Sequence, residues 1–231
     1  MNTIAERLQS AYQQIAEECS KLGSNSANVQ LIAVSKTKPA AAIETAYQYG
    51  QRHFAENYPQ EFADKALQLQ HPDLVWHFIG PLQSNKTRLI AEHAAWFHSL
   101  DRLKIARRLS EQRLEKLPPL QVLLQLNISG ESTKAGIEPT EMMALAAEIE
   151  QLPNLILRGL MAIPAPSDQQ PVEHSFQRMQ QLSMQLQQTY PAATELSMGM
   201  SNDWPMALRY GATMIRLGTA IFGERTYERN E

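Results

Sequence analysis

Hydrophobic positions recur along this chain in two alternating rhythms. Ile4, Leu8, Ala11, Ile15 and Leu22 fall at helical spacing, Thr3 can cap that helix, and Gly23, Ser24 and Asn25 stop it. Short apolar runs rich in β-branched or aromatic residues then alternate with helical stretches. The runs are Val29–Ser35, His53–Glu56, Leu74–Ile79, Trp96–Leu100, Leu120–Ile128, Leu155–Ile163, Ala193–Met198 and Met214–Phe222. Between them the pattern predicts helices over Ala40–Tyr49, Tyr58–Leu69, Lys86–Glu92, Arg102–Leu114, Glu141–Leu152 and Trp204–Arg209. Another helix carries Phe176, Met179, Leu182 and Leu186 on one face. Eight strands alternating with helices predict a parallel sheet, and eight is the count that closes a (β/α)8 barrel. The expected fold is therefore α/β, one TIM-type barrel domain over residues 1–231 with an extra N-terminal helix. An open doubly wound sheet is the alternative, but no GxGxxG follows the first strand. The Pro-containing stretch from Pro164 to Pro171 reads as one exposed loop.

Composition narrows the class. A chain of 231 residues with 43% hydrophobic residues can bury a sizeable core without disulfides or structural metal. Net charge is −3, which gives no global attraction to nucleic acid or an anionic membrane. The basic residues between Arg102 and Lys116 are interleaved with acids and read as a solvated helix face. The single cysteine, Cys19, sits in the first helix's apolar pattern and reads as packing. No signal-peptide core and no apolar run of membrane-spanning length is present, so a cytoplasmic location is expected. The six histidines lack HxH and HExxH spacing and one cysteine cannot complete a zinc set, so no metal site is expected. Neither a GxSxG elbow nor a P-loop occurs.

In a barrel of this kind, chemistry gathers where the strands end. The first strand runs into Lys36. A lysine there is either solvated, as its neighbour Lys38 can be, or desolvated and free to attack an aldehyde. After the seventh strand, SMGMSND (197–203) offers Gly199 for close backbone approach, and Ser201 or Asn202 as helix caps with free N–H groups suited to phosphate. The eighth strand ends in Gly218-Thr219, a second small-residue turn. Two structural turns are the plainer reading of both. Arg216 shares a strand face with Met214 and Gly218, so it needs a partner inside the barrel, either an acid or a ligand. Asn57 ends the second strand. His77, on the third, reads as a satisfied core histidine, with Ser84, Asn85 and Lys86 beyond it. NISGESTKAG and MAIPAP follow the fifth and sixth strands.

Taken together, AVSKTKP, FAENYPQE, WHFIGPLQSNK, LNISGESTKAGI, RGLMAIPAP, LSMGMSNDW and IRLGTAIFGER resemble, in order from about Val29 to Arg225, the YggS/PROSC family of pyridoxal 5'-phosphate homeostasis proteins. That family is similar in fold to the barrel of alanine racemases. The resemblance implies that Lys36 holds pyridoxal 5'-phosphate (PLP) as an internal aldimine, that Ser201, Gly218 and Thr219 hold its phosphate, and that Arg216 faces its pyridine nitrogen. Asn57, Met161 and Ser197 are implied to line the pocket. Two departures stand out: Ala55 where the family has glycine, and Asn202 and Pro205 where it has SDDMEAA. Pro205 suits a helix's first turn.

Arginine only donates hydrogen bonds, so Arg216 facing the nitrogen would keep it unprotonated and weaken the ring as an electron sink. Alanine racemases share that arginine and still work, but they take a second base from another domain, and the chain here ends soon after the eighth strand. The expected function is thus a non-catalytic, monomeric PLP carrier or buffer, with no catalytic residue assigned and PLP-dependent apo-enzymes as recipients. A PLP-dependent amino-acid racemase is the alternative, and a cofactor-free Schiff-base aldolase the third reading.

Overall fold

A computed structural model describes residues 3–129, 135–164 and 171–224. The GESTK string (130–134), the central part of the Pro-containing loop (165–170) and Arg225 lie outside the described residues. Eight parallel strands form a closed barrel in sequential order, with β1 hydrogen-bonded to both β2 and β8. The strands are β1 (Gln30–Val34), β2 (His53–Glu56), β3 (Val75–Phe78), β4 (Trp96–Leu100), β5 (Leu120–Gln125), β6 (Leu155–Met161), β7 (Glu195–Ser197) and β8 (Met214–Leu217). The helices are α1 (Ile4–Lys21), α2 (Ala40–Gln48), α3 (Pro59–Gln68), α4 (Thr87–His93), α5 (Leu103–Gln112), α6 (Met142–Ile149), α7 (Val172–Thr189), α8 (Trp204–Arg209) and α9 (Thr219–Phe222).

The two hydrophobic rhythms divide into two cores. Outward-facing strand residues such as Leu31, Ala33, Phe54 and Leu124 pack under the helix ring with Ile43, Phe62, Ile90, Leu109 and Phe176. Inward-facing Ile32, Ala55, Trp96, Leu123, Met161 and Met214 form a separate cluster inside the barrel. Both faces of the sheet are covered, which is why the strands read as near-continuous apolar runs. Thr3 starts α1 through a reciprocal cap: its hydroxyl accepts from the Glu6 N–H and the Glu6 carboxylate accepts from its own N–H. Cys19 is buried in the outer core, as its spacing indicates.

Three expectations need correction. The eighth apolar run does not continue as strand to Phe222: β8 ends at Leu217, Gly218 turns the chain, and Thr219–Phe222 form α9. Neither Ser201 nor Asn202 caps α8. Asp203 takes that position, and its carboxylate accepts the Met200 N–H at 2.6 Å, a charge-assisted bond that closes the turn. Nor is every basic residue around α5 solvated. Arg113 is buried and donates to the carbonyls of Ala91, Ala94 and Pro118, tying α4 and the loop before β5 together.

Candidate functional site

The C-terminal ends of β1, β2, β6, β7 and β8 bring the residues singled out above to one end of the barrel. Lys36 lies two residues past β1 and is half-buried. It lines a small cleft with Lys38, Gly218, Thr219 and Gly223. Val34 pairs with Ala55, so the segments that carry Lys36 and Asn57 leave the barrel from adjacent strands at the same end. Gly80 makes room for Asn57: a Cβ on Gly80 would sit 2.0 Å from the Asn57 carbonyl oxygen. The side-chain oxygen of Asn57 is buried and has no hydrogen-bond partner among the described residues. It is an unspent acceptor at the end of the strand next to the one that leads to Lys36.

The turn carrying Lys36 is held from below. Thr37 adopts a left-handed backbone, φ 64°, uncommon for a residue with a Cβ, and its N–H donates to Glu61 at 2.6 Å. Lys65, on the buried side of α3, donates to Glu61, to Glu56 and to the Ser35 carbonyl at 2.7, 2.7 and 2.9 Å. Ser35 donates its hydroxyl to the same Glu56 oxygen at 2.7 Å. Burial pushes the Glu56 carboxyl above its usual range, and the Lys65 ammonium opposes that. This network escaped the sequence reading, although a lysine three residues after Phe62 on α3's apolar stripe was a visible sign of it.

Arg216 is buried and forms no ion pair with any described residue. Its guanidinium donates to Ser197 Oγ at 2.6 Å and to the Ala162 carbonyl at 3.0 Å. Loss of water pushes it down to about 10, so it remains charged at neutral pH. Met161 pairs in register with Ser197 and belongs to the inner cluster. Ser201 is exposed and borders a cavity of about 260 Å³ with Leu217, Ala220 and Arg7 of α1. The backbone N–H groups of Ser201 and Asn202 have no partner among the described residues. Gly199 sits at φ +93°, where a Cβ would meet the Ala207 side chain at 2.7 Å, so the loop packs tightly onto α8.

His77 is a satisfied core histidine, hydrogen-bonded to both His53 and His98. His53 and His98 were not singled out from sequence. Their inward parity on β2 and β4 was the available signal. Ser84–Lys86 form a 3-10 turn leading into α4. Among the described residues no group of three His, Cys, Asp or Glu side chains is placed to hold a metal ion, and no helix is long and apolar enough to cross a membrane.

The donor set suits a phosphorylated aldehyde. It offers one lysine at a strand end, a buried cation bonded to neutral groups, a buried acceptor with no partner among the described residues, and a turn at Ser201–Asn202 whose N–H groups have none either. Known proteins agree. The alanine racemase N-terminal domain family matches residues 10–226. The chain is 53% identical to the pyridoxal phosphate homeostasis protein of Vibrio cholerae, covering 100% of both chains. It is 48% identical to that of Escherichia coli K12, covering 99% of this chain and 100% of that one. PipY of Synechococcus elongatus, solved without PLP, superposes with a TM-score of 0.80 at 43% identity over 90% of this chain and 100% of that one. The same protein with PLP bound gives 0.77. Alanine racemase from Corynebacterium glutamicum shares the fold at 13% identity, with a TM-score of 0.68 over 99% of this chain and 62% of that one. The chain belongs to the alanine racemase N-terminal domain family and, within it, to the pyridoxal phosphate homeostasis proteins.

Proposed function

We propose that this protein binds PLP covalently through Lys36 and serves as a monomeric, cytoplasmic carrier or buffer of the cofactor rather than as an enzyme. The observation that carries the reading is that Lys36 shares one cleft with Gly218 and Thr219 while the buried Arg216 directs its hydrogen bonds to neutral acceptors, Ser197 and the Ala162 carbonyl. Lys36 would hold the aldehyde carbon. Ser201, Gly218 and Thr219 would hold the phosphate on backbone N–H groups and hydroxyls, and Arg216 would donate to the ring nitrogen. Asn57 would accept at the ring edge, with Met161 and Ser197 lining the inner wall. Bound there, the group supplies an electrophilic carbon and an electron-withdrawing ring. An arginine that only donates leaves that ring nitrogen unprotonated, which weakens carbanion stabilisation and favours holding over turnover. PLP-dependent apo-enzymes would receive the cofactor. The names of the relatives, homeostasis proteins rather than racemases, support the same reading.

The test is the visible absorption spectrum of purified wild type and Lys36→Ala, before and after borohydride. A yellow band in wild type that borohydride bleaches, absent from the variant, is expected. A wild type that stays colourless in excess PLP would refute the reading. Incubation with amino acids in deuterium oxide then separates carrier from racemase: α-deuteration that vanishes in Lys36→Ala would favour the enzyme.

A further inference from the structure

The barrel interior contains a line of histidines that the cofactor reading does not use. His53 Nδ1 lies 2.9 Å from His77 Nε2. His77 Nδ1 lies 2.9 Å from His98 Nε2. His98 Nδ1 lies 2.9 Å from Ser197 Oγ, the oxygen that accepts from Arg216. One end of the line therefore touches the buried guanidinium. The other end, His53, opens on a cavity of about 440 Å³ at the N-terminal mouth of the barrel, bordered also by Gln30, Trp96 and Glu195. The imidazoles are strung one after another, each bonded to the next, and do not converge on a point as metal ligands would.

We propose that His53, His77, His98 and Ser197 form a positioning relay for Arg216, a neutral clamp that fixes the guanidinium's orientation without cancelling its charge. The proposal rests on the reading that Arg216 faces the pyridine nitrogen. The chemistry of the groups gives the relay one direction. Arginine has donors only, so Ser197 Oγ accepts from it. Ser197 is fully buried, and among the described residues the one acceptor in reach of its hydroxyl hydrogen is His98 Nδ1. His98 must then donate from Nε2 to His77 Nδ1, and His77 from Nε2 to His53 Nδ1. The His53 Nε2–H is left for the cavity. The reverse order would make Ser197 accept twice and leave its buried hydrogen without an acceptor. Each link requires an uncharged ring, and burial supplies that: His77 and His98 are held well below the ordinary histidine value and His53 is lowered to about 4.

A carboxylate in place of Ser197 would also orient Arg216, but it would neutralise the charge that the ligand is to meet. A lone serine would leave its hydrogen free to rotate. The histidines lock that hydrogen, and through it the lone pair that Arg216 uses.

Two measurements test the relay. The first uses cofactor-free protein with ¹⁵N-labelled histidine, reading ring tautomers from long-range ¹H–¹⁵N correlations assigned by single substitutions. Neutral Nε2–H tautomers are expected at His53, His77 and His98, and an Nδ1–H at His77 or His98 would overturn the proposal. The second compares PLP affinity and the visible band across variants whose folding is checked by circular dichroism. His98→Leu should weaken affinity by up to about tenfold, the worth of one hydrogen bond, and move the band. His98→Asn, whose side-chain oxygen can replace Nδ1 as acceptor, should recover most of both. Should His98→Leu fail to fold, the tautomers of wild type and the affinity of His98→Asn still decide. If Arg216→Gln changes neither affinity nor band, the cofactor reading of Arg216 falls and the relay with it. If Arg216→Gln changes both and His98→Leu changes neither, the relay alone is refuted.

Discussion

Replacing Lys65 with methionine isolates the network beneath Lys36. Methionine keeps much of the lysine's length and can fill the same space, but it removes the ammonium that bridges Glu56, Glu61 and the Ser35 carbonyl. Glu61 is partly exposed and can rehydrate. Glu56 is fully buried and cannot. It would keep one hydrogen bond, from Ser35, while its second oxygen already lacks a partner among the described residues. Leaving one member of a buried pair unpaired costs about 3–5 kcal/mol. At about 2–4 °C per kcal/mol for a domain of this size, the melting temperature should fall by roughly 6–20 °C. The loss should depend on pH, with a definite sign. Burial already raises Glu56 above its ordinary value, and removing Lys65 removes the interaction that opposes the rise. Between the unfolded and folded values the folded state holds the proton and the unfolded state does not, so stability falls as pH rises through that window. The deficit of Lys65→Met should therefore be smaller at pH 5 than at pH 7.5. Adding Glu56→Gln should recover about 2 kcal/mol at neutral pH, because a neutral amide needs no counter-ion. Urea unfolding followed by fluorescence of the buried Trp76, Trp96 and Trp204 measures all three proteins. A deficit below about 1 kcal/mol at pH 7.5, or equal deficits at both pH values, would refute the reasoning.

Two further outcomes follow from the same site. The three relay histidines have folded-state values below 6.5 while their unfolded values are ordinary, so the unfolded state takes up protons first as pH drops. Their contribution is complete above pH 6.5 and is lost below it, at up to about 1.4 kcal/mol per pH unit for each histidine. Urea midpoints from pH 6.5 to 5 should show this slope, and His77→Phe should flatten it; an unchanged slope in that variant would remove the histidines as the cause. Gly80→Ala drives a Cβ against the backbone of Asn57, where no rotamer change relieves it. It should cost about 1–3 kcal/mol and weaken PLP binding by shifting Asn57, whereas unchanged affinity in a folded variant would dissociate Asn57 from the site.

The barrel was legible because covered sheet faces and amphipathic helices leave different periods in the sequence, and β2 and β4 match the predicted runs residue for residue. The end of β8 was not legible. IRLGTAIFG is apolar on both sides of Gly218, so no change of polarity marks the switch from strand to helix. Lys36 and Arg216 stood out because charge at a strand end or inside a strand is costly. Their supports did not. Glu56 and Lys65 meet from a strand and the following helix, nine residues apart, a separation that follows neither local period. The histidine line joins three neighbouring strands whose register emerges only when the barrel closes. Arg113 read as surface because its position in the sequence does not reveal that three carbonyls converge on it.

The supports explain a division of labour inside the barrel. Barrels of this kind usually fill their interior with branched apolar side chains. Here the branched Ile32 and Leu123 do so in part, with the unbranched Met161 and Met214 beside them, while the line from His53 to Arg216 replaces apolar packing with hydrogen bonds. Each substitution of that kind is tolerable only if the buried groups are satisfied, and the relay satisfies the serine and the intervening ring nitrogens in turn. What it leaves over is a positive charge held in a defined direction by neutral hydrogen-bond partners, with the Asp203 carboxylate acting on it only at longer range. A buried cation in that condition lowers the stability of the empty protein, and that deficit is recovered when electron-rich atoms of a ligand reach it. The same residues therefore tie ligand affinity to fold stability. That coupling would suit the carrier proposed above, which must hold a reactive aldehyde tightly enough to keep it from other amines and loosely enough to release it.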